Sequence, residues 1–103
     1  MRKYKIIWED EVFANLENIW SYIAFDSVIQ ANTIILKIQT DIERLESDPL
    51  IGQIEDFLVK YNLGHRYLLS GNYKIIYRVA EDFIFIITIF DTRQDPAKMQ
   101  DII

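Results

Sequence analysis

The chain has no cysteine, one histidine, three glycines and two prolines. Without cysteine there is neither a disulfide framework nor a thiolate zinc site. A single histidine, His65, excludes a histidine-rich metal cluster, and no motif implies a cofactor. Basic charge is also scarce. The formal net charge is -5 and the pI is about 4.7. Residues 1–52 hold five basic against nine acidic side chains, and the remainder six against seven. General nucleic-acid binding draws affinity from clustered Lys and Arg. No direct sequence-specific nucleic-acid recognition is therefore expected, although the near-neutral second half leaves room for a local basic patch. Long apolar runs are missing too. None approaches the ~20 residues of a bilayer span. The opening MRKYKIIWEDE meets three acids too soon for a secretory leader. The expected compartment is the cytoplasm, with no membrane association.

With 103 residues there is room for one core but not two, so residues 1–103 are read as a single domain. Half of the residues are hydrophobic, and their spacing assigns the elements. Lys3–Trp8 alternates, with Tyr4, Ile6 and Trp8 on one face, as in a half-buried strand. Glu9, Asp10 and Glu11 suit the first turn of a helix, where the dipole favours negative charge. Val12, Phe13, Leu16, Ile19, Trp20 and Ile23 then recur at helical spacing, ending near Phe25. Ser27-Val28-Ile29-Gln30 reads as a reciprocal capping box. Val28, Ala31, Ile35, Ile38, Ile42 and Leu45 continue a second helix until Asp48-Pro49, because the residue before proline avoids helical geometry.

Residues 50–63 carry a weaker pattern. Ile51, Ile54, Leu58 and Tyr61 fit either a short helix or an irregular connection. Three strands follow: Arg66–Leu69, Tyr73–Val79 and Phe83–Phe90. Ser70-Gly71-Asn72 and Ala80-Glu81-Asp82 turn between them. The last strand is apolar on both faces, which places it inside the sheet. The order β-α-α-β-β-β predicts a two-layer α+β domain, a helical hairpin packed on a mainly antiparallel sheet.

Several pieces together resemble the ParE branch of the ParE/RelE toxin superfamily. They are Leu16, Ile19-Trp20 and Tyr22-Ile23; Ala31 and Ile38; Pro49 and Gly52; Gly64-His65-Arg66-Tyr67-Leu68-Leu69; Gly71; Tyr77-Arg78-Val79; and Arg93 with Asp95-Pro96. The resemblance implies the toxin of a bacterial type II toxin–antitoxin pair of plasmid-stabilisation type. It also implies a cognate antitoxin whose tail folds across the toxin surface, and allows a dimer or a heterotetramer with that antitoxin. Two targets remain open within the superfamily. ParE-like members poison DNA gyrase by binding, whereas RelE-like members are ribosome-dependent mRNA endonucleases. A third outcome is a non-toxic remnant that only binds an antitoxin.

RNA cleavage needs a base, an acid and cations converging on one phosphate. By that resemblance the nuclease set here would be Arg93, Lys74 and His65. His65 and Tyr67 stand where RelE-like members have lysines, Lys74 stands for an arginine, and no Tyr or His follows Arg93. The gyrase reading is therefore favoured, with Arg66, Arg78 and Arg93 as target-binding residues and no catalysis of the chain's own. Each residue also has a plainer reading. Arg66 can pair with an acid or cover the sheet edge, Arg78 can be the solvent side of a strand, and His65 a surface or capped residue. Trp8, Trp20, Tyr73 and Tyr77 are read as packing. Asp91 lies on the same face as Arg93 and can orient it, as a partner-binding group or as a structural ion pair. Ile29, Ile34 and Leu36 fall off the helical seam and are expected to form an exposed apolar surface for a partner. The tail from Gln94 to Ile103 fits a flexible end or a segment that orders on binding.

Overall fold

The structure, a computed structural model, describes residues 3–102. Met1, Arg2 and Ile103 lie outside the described residues, and with them the start of the leader reading and the last residue of the tail. The elements are β1 (Lys5–Trp8), α1 (Asp10–Ala24), α2 (Val28–Glu43), β2 (Gln53–Ile54), β3 (Arg66–Ser70), β4 (Tyr73–Ala80) and β5 (Phe83–Asp91). Short 3-10 turns lie at Arg44–Glu46, Asp56–Tyr61 and Pro96–Ile102. The sheet order is β1-β5-β4-β3-β2. All neighbours are antiparallel except β1, which runs parallel to β5. The expected α+β hairpin-on-sheet architecture is what the chain adopts.

The two helices cover one face of the sheet. Val12, Ile38, Ile42 and Leu45 pack against Leu68, Tyr73, Ile75, Tyr77, Ile84, Ile86 and Ile89. Each fully buried Ile or Leu contributes about 1.5–3 kcal/mol. The helical seams differ in detail from the periodic reading. Val28 is 52% exposed, while Ile34, expected off the seam, packs on the core. Trp20 is not core packing: its indole N–H reaches Asn32 Oδ1 at 2.8 Å and ties α1 to α2. Only half of the capping box forms. Ser27 Oγ accepts from the Gln30 N–H at 3.1 Å, but the Ser27 N–H is already taken by the Ile23 carbonyl.

The opposite face carries a smaller cluster in which Leu58 and Met99 cover Ile76 and Phe90. Both covers come from 3-10 turns. Residues 50–63 thus hold a short strand and a short 3-10 helix, with Leu58 buried and Ile51, Ile54 and Tyr61 outside the core. The tail is ordered through Pro96–Ile102 and buries Met99.

A single hydroxyl organises the loop that follows α2. Tyr77, fully buried in β4, donates to the Pro49 carbonyl at 2.8 Å and accepts the Gly52 N–H at 3.0 Å. Arg66 Nη1 then donates to the Gly52 carbonyl at 2.8 Å. Gly52 is required by space, because a Cβ there would lie 2.6 Å from the Tyr67 carbonyl oxygen and from the Tyr77 hydroxyl. Replacing Tyr77 by Phe leaves a buried donor and an acceptor without their partner. It is expected to cost about 1–3 kcal/mol, read as a lower urea midpoint at unchanged m-value. A midpoint equal to that of the parent chain would show that water replaces the hydroxyl at no cost.

Candidate functional site

The exit of β5 carries an exposed cation held by three hydrogen bonds. Asp91 accepts three bonds from Arg93: the backbone N–H and Nε to Oδ1, each 2.9 Å, and Nη2 to Oδ2 at 2.8 Å. The next residue is fixed as well, since Thr92 donates through N–H and Oγ1 to the Asn72 carbonyl at 2.9 and 2.7 Å. The Asp91 side chain is only 24% exposed, whereas that of Arg93 is 57% exposed. Two commitments to Asp91 fix the guanidinium plane and leave Nη1 directed elsewhere. The bond from Arg93 holds the Asp91 carboxyl below its ordinary range, and the same pairing raises Arg93.

Arg93 stands between two concavities. One, of about 570 Å³, is lined by Asn15, Asn18, Ile19, Tyr22, Tyr73 and Ile89. The other, of about 230 Å³, lies between α2 and the β3–β4 turn and includes Gln30, Ile34, Lys37 and Asn72. Tyr22 and Tyr73 border both. Tyr73 is buried, and burial followed by the charge of Asp91 pushes its hydroxyl up. Asn15 fixes the wall. Its Oδ1 accepts from Thr88 Oγ1 at 2.9 Å and from the Ile89 N–H at 2.8 Å, next to the register shift between β4 and β5. Sequence reasoning passed over Asn15, and named Tyr22 only as a piece of the family pattern and Asn72 only as a turn residue. A polar side chain between Val12 and Leu16 on an apolar helical face was the available sign for Asn15.

The other candidate residues lie elsewhere. Lys74 points to the opposite face, where Nζ bonds Glu55 Oε2 at 2.8 Å and sits 4.3 Å over the Tyr67 ring. Glu55 is itself only 2% exposed. His65 is not a surface residue: it is 3% exposed, and its carbonyl accepts the Glu55 N–H at 2.9 Å. Burial, then the charge of Arg78, pushes the imidazole below its ordinary value. Its Nδ1 has no hydrogen-bond partner. Arg66 meets the Gly52 carbonyl rather than an acid. Arg78 is half-buried, with its guanidinium carbon 4.8 Å over the Phe85 ring.

Arg66 and Arg78 lie toward one end of the sheet and Arg93 at the other. In the β4 ladder, Tyr73 opposes Asp91 while Arg78 opposes Phe85. At ~3.3 Å per residue, five residues separate these ends by roughly 16 Å. The structure therefore brings Arg93 together with Asp91, Tyr22 and Tyr73, but not with Lys74 or His65. Among the described residues, no group of three or more His, Asp or Glu side chains is placed to hold a metal ion, and no helix is long and apolar enough to cross a membrane.

Comparison with known proteins agrees with this architecture. A family model described as ParE toxin of type II toxin-antitoxin system, parDE, matches residues 6–96. A solved structure titled as the chromosomal ParDE TA system from P. aeruginosa superposes with a TM-score of 0.72 at 20% identity, covering 86% of this chain and 96% of that one. At that identity the superposition speaks to the fold. No curated protein gives a significant match.

The Asp91–Arg93 pair has a defined pH response. The folded carboxyl titrates below its ordinary 3.8, so its contribution to stability is complete above that value. It is lost as the pH falls through the lower folded value. Carboxyl carbon NMR is expected to place the Asp91 midpoint below those of exposed aspartates, and Arg93→Ala is expected to return it toward them. Removing Glu55 as Glu55→Ala leaves Lys74 without its ion partner at a largely buried position. A loss of about 3 kcal/mol or more is expected in chemical denaturation; a neutral result would mean that Lys74 swings into solvent.

Proposed function

Because the chain belongs to the ParE toxin family of type II toxin–antitoxin systems, we propose that it acts by binding and inhibiting DNA gyrase and that its antitoxin neutralises it. Membership in that family implies an antitoxin partner. The observation that carries the gyrase reading is the separation of the residues a nuclease would need. Concerted proton transfer requires acid and base within hydrogen-bond reach of one substrate. Here Lys74 is neutralised by Glu55 on one face, His65 is buried toward the opposite end of β4, and Arg93 faces the helical side. What remains is a binding surface: an oriented arginine beside two tyrosines and a concavity. Aromatic and Arg side chains of this kind concentrate affinity at protein interfaces.

Neutralisation has a surface to work through. Phe25 is 92% exposed, Ile29 81%, Tyr22 74% and Leu36 62%, all on the helical hairpin. An amphipathic partner helix laid on such a face would remove that apolar area from water.

The test is purified protein added to gyrase supercoiling and cleavage assays, in parallel with a translating extract probed for mRNA cuts. Inhibition of gyrase is expected, with intact mRNA. Arg93→Ala is expected to weaken inhibition on the order of tenfold or more. Gyrase that works normally at toxin concentrations that stop growth would overturn the reading. Codon-specific mRNA cuts that vanish in Arg93→Ala would replace it with the endonuclease reading. Cells that grow normally while soluble protein accumulates would point to an inactive antitoxin-binding chain.

A further inference from the structure

β1 is an edge strand with one open side. Its backbone alternates. The Lys5 N–H donates to the Asp82 carbonyl at 2.9 Å and the Glu9 N–H to the Ile86 carbonyl at 3.1 Å, so odd-numbered residues face β5. The Tyr4 N–H points the other way and meets the Glu46 carbonyl at 2.9 Å. Ile6 and Trp8 therefore direct N–H and C=O away from the sheet, and among the described residues no element pairs with them. The open stretch runs from residue 5 to residue 9. Glu46 closes one end and the first turn of α1 the other. Glu9 is still extended, at φ -68° and ψ 153°.

The surface on either side of this edge is apolar. On the helical side Ile6 and Trp8 are half-buried, and Phe13, 57% exposed, stacks on Trp8 with ring centroids 6.0 Å apart. On the other side Ile7 lies beside Phe85, and Phe83 is 36% exposed. Unprotected edges of this composition template pairing with another chain. A lysine normally guards against that. Lys5 is such a guard, but Glu9 follows four residues later on the same face of the strand.

We propose that β1 pairs antiparallel with β1 of a second copy of this chain, about a two-fold axis through Ile7, so that one sheet continues across the dimer. The backbone phase and the charges select the same register. With Ile7 on the axis, Ile6 of each copy opposes Trp8 of the other. These are the residues whose backbone groups point outward, and each pair exchanges both N–H···O bonds. Ile7 meets Ile7. Lys5 of each copy opposes Glu9 of the other in non-hydrogen-bonded positions, where opposed side chains come closest. Moving the axis to Ile6 places Lys5 opposite Ile7. Moving it to Trp8 places Ile7 opposite Glu9 and reaches into α1. Neither alternative matches charge or apolar surface. This interface does not depend on the gyrase reading, because Arg93 lies at the far end of β5.

Sedimentation equilibrium of the full chain over a concentration series tests the proposal, with amide exchange followed at Ile6 and Trp8. A concentration-dependent dimer is expected, in which those two amides slow as the dimer forms. Lys5→Glu and Glu9→Lys each place like charges opposite one another twice, and are expected to weaken association roughly tenfold. The double variant Lys5→Glu/Glu9→Lys restores opposite charges and is expected to recover it. Both side chains are exposed, and amide exchange on the unaltered chain reads the interface without any substitution. A monomer at every concentration, or a dimer that the single reversals leave unchanged, would overturn the proposal. So would single losses that the double variant does not repair. Protection of Ile6 and Trp8 that appears only when an antitoxin is added would give the edge to that partner instead.

Discussion

The Tyr77 hydroxyl is the point on which the non-helical half of the molecule turns. Its two hydrogen bonds fix both ends of the Pro49–Gly52 loop, and the loop sets everything downstream. Gly52 presents its carbonyl to Arg66 and leads directly into β2, which pairs with β3. Glu55 then reaches Lys74, and Leu58 closes over Ile76. Pro49, Gly52, Arg66 and Tyr77 are widely separated in the sequence and were singled out there as unconnected pieces of a family pattern. In the fold they form one chain of bonds: Pro49 and Gly52 meet at the Tyr77 hydroxyl, and Arg66 reaches the Gly52 carbonyl. Their joint presence has a physical reason: a larger residue at 52 would collide with the hydroxyl, and a shorter one at 77 would leave the loop's polar groups unsatisfied.

Electrostatics follow a similar economy. Several of the few cations are engaged internally. Lys37 and Arg44 meet Asp41, Lys74 meets Glu55, Arg93 meets Asp91, Arg66 meets a carbonyl and Arg78 an aromatic ring. The chain's scarcity of basic residues is thus compounded by the way it uses them. Little mobile positive charge is left to follow a phosphate backbone, which gains affinity from each cation that neutralises a phosphate. An oriented, partly compensated arginine instead favours recognition by shape and hydrogen bonding.

Both helices, β1 and the three long strands were legible because each repeats its period over enough residues to average out exceptions. β2 was not, since two residues carry no alternation, and their pairing is imposed by the Tyr77 anchor some distance away. The 3-10 helix after it was half visible, through Leu58. Burial of His65 was hidden because its sequence neighbours, Gly64 and Arg66, suggest a surface. His65 lies beside Arg78, Ile87 and the start of α1, residues distant in the chain. Asp91 and Arg93 were readable as a pair from their spacing, since local contacts survive in sequence. Asn15 with Thr88, and Tyr22 with Tyr73, join residues far apart in the chain, and no local pattern encodes those meetings.

The parallel pairing of β1 with β5 joins Lys5 to Phe83 and Trp8 to Ile86, the first strand of the chain to the last. Contacts so distant along the chain form late, after the entropy of closing the intervening loop has been met. During synthesis the helical hairpin emerges first and finds no sheet to cover, because β4 and β5 are still inside the ribosome. The apolar faces of both helices stay uncovered through that interval. A nascent chain therefore has neither a finished core nor the Asp91–Arg93 corner until β5 has left the ribosome. The same interval is when a partner already present in the cell would find the hairpin most accessible.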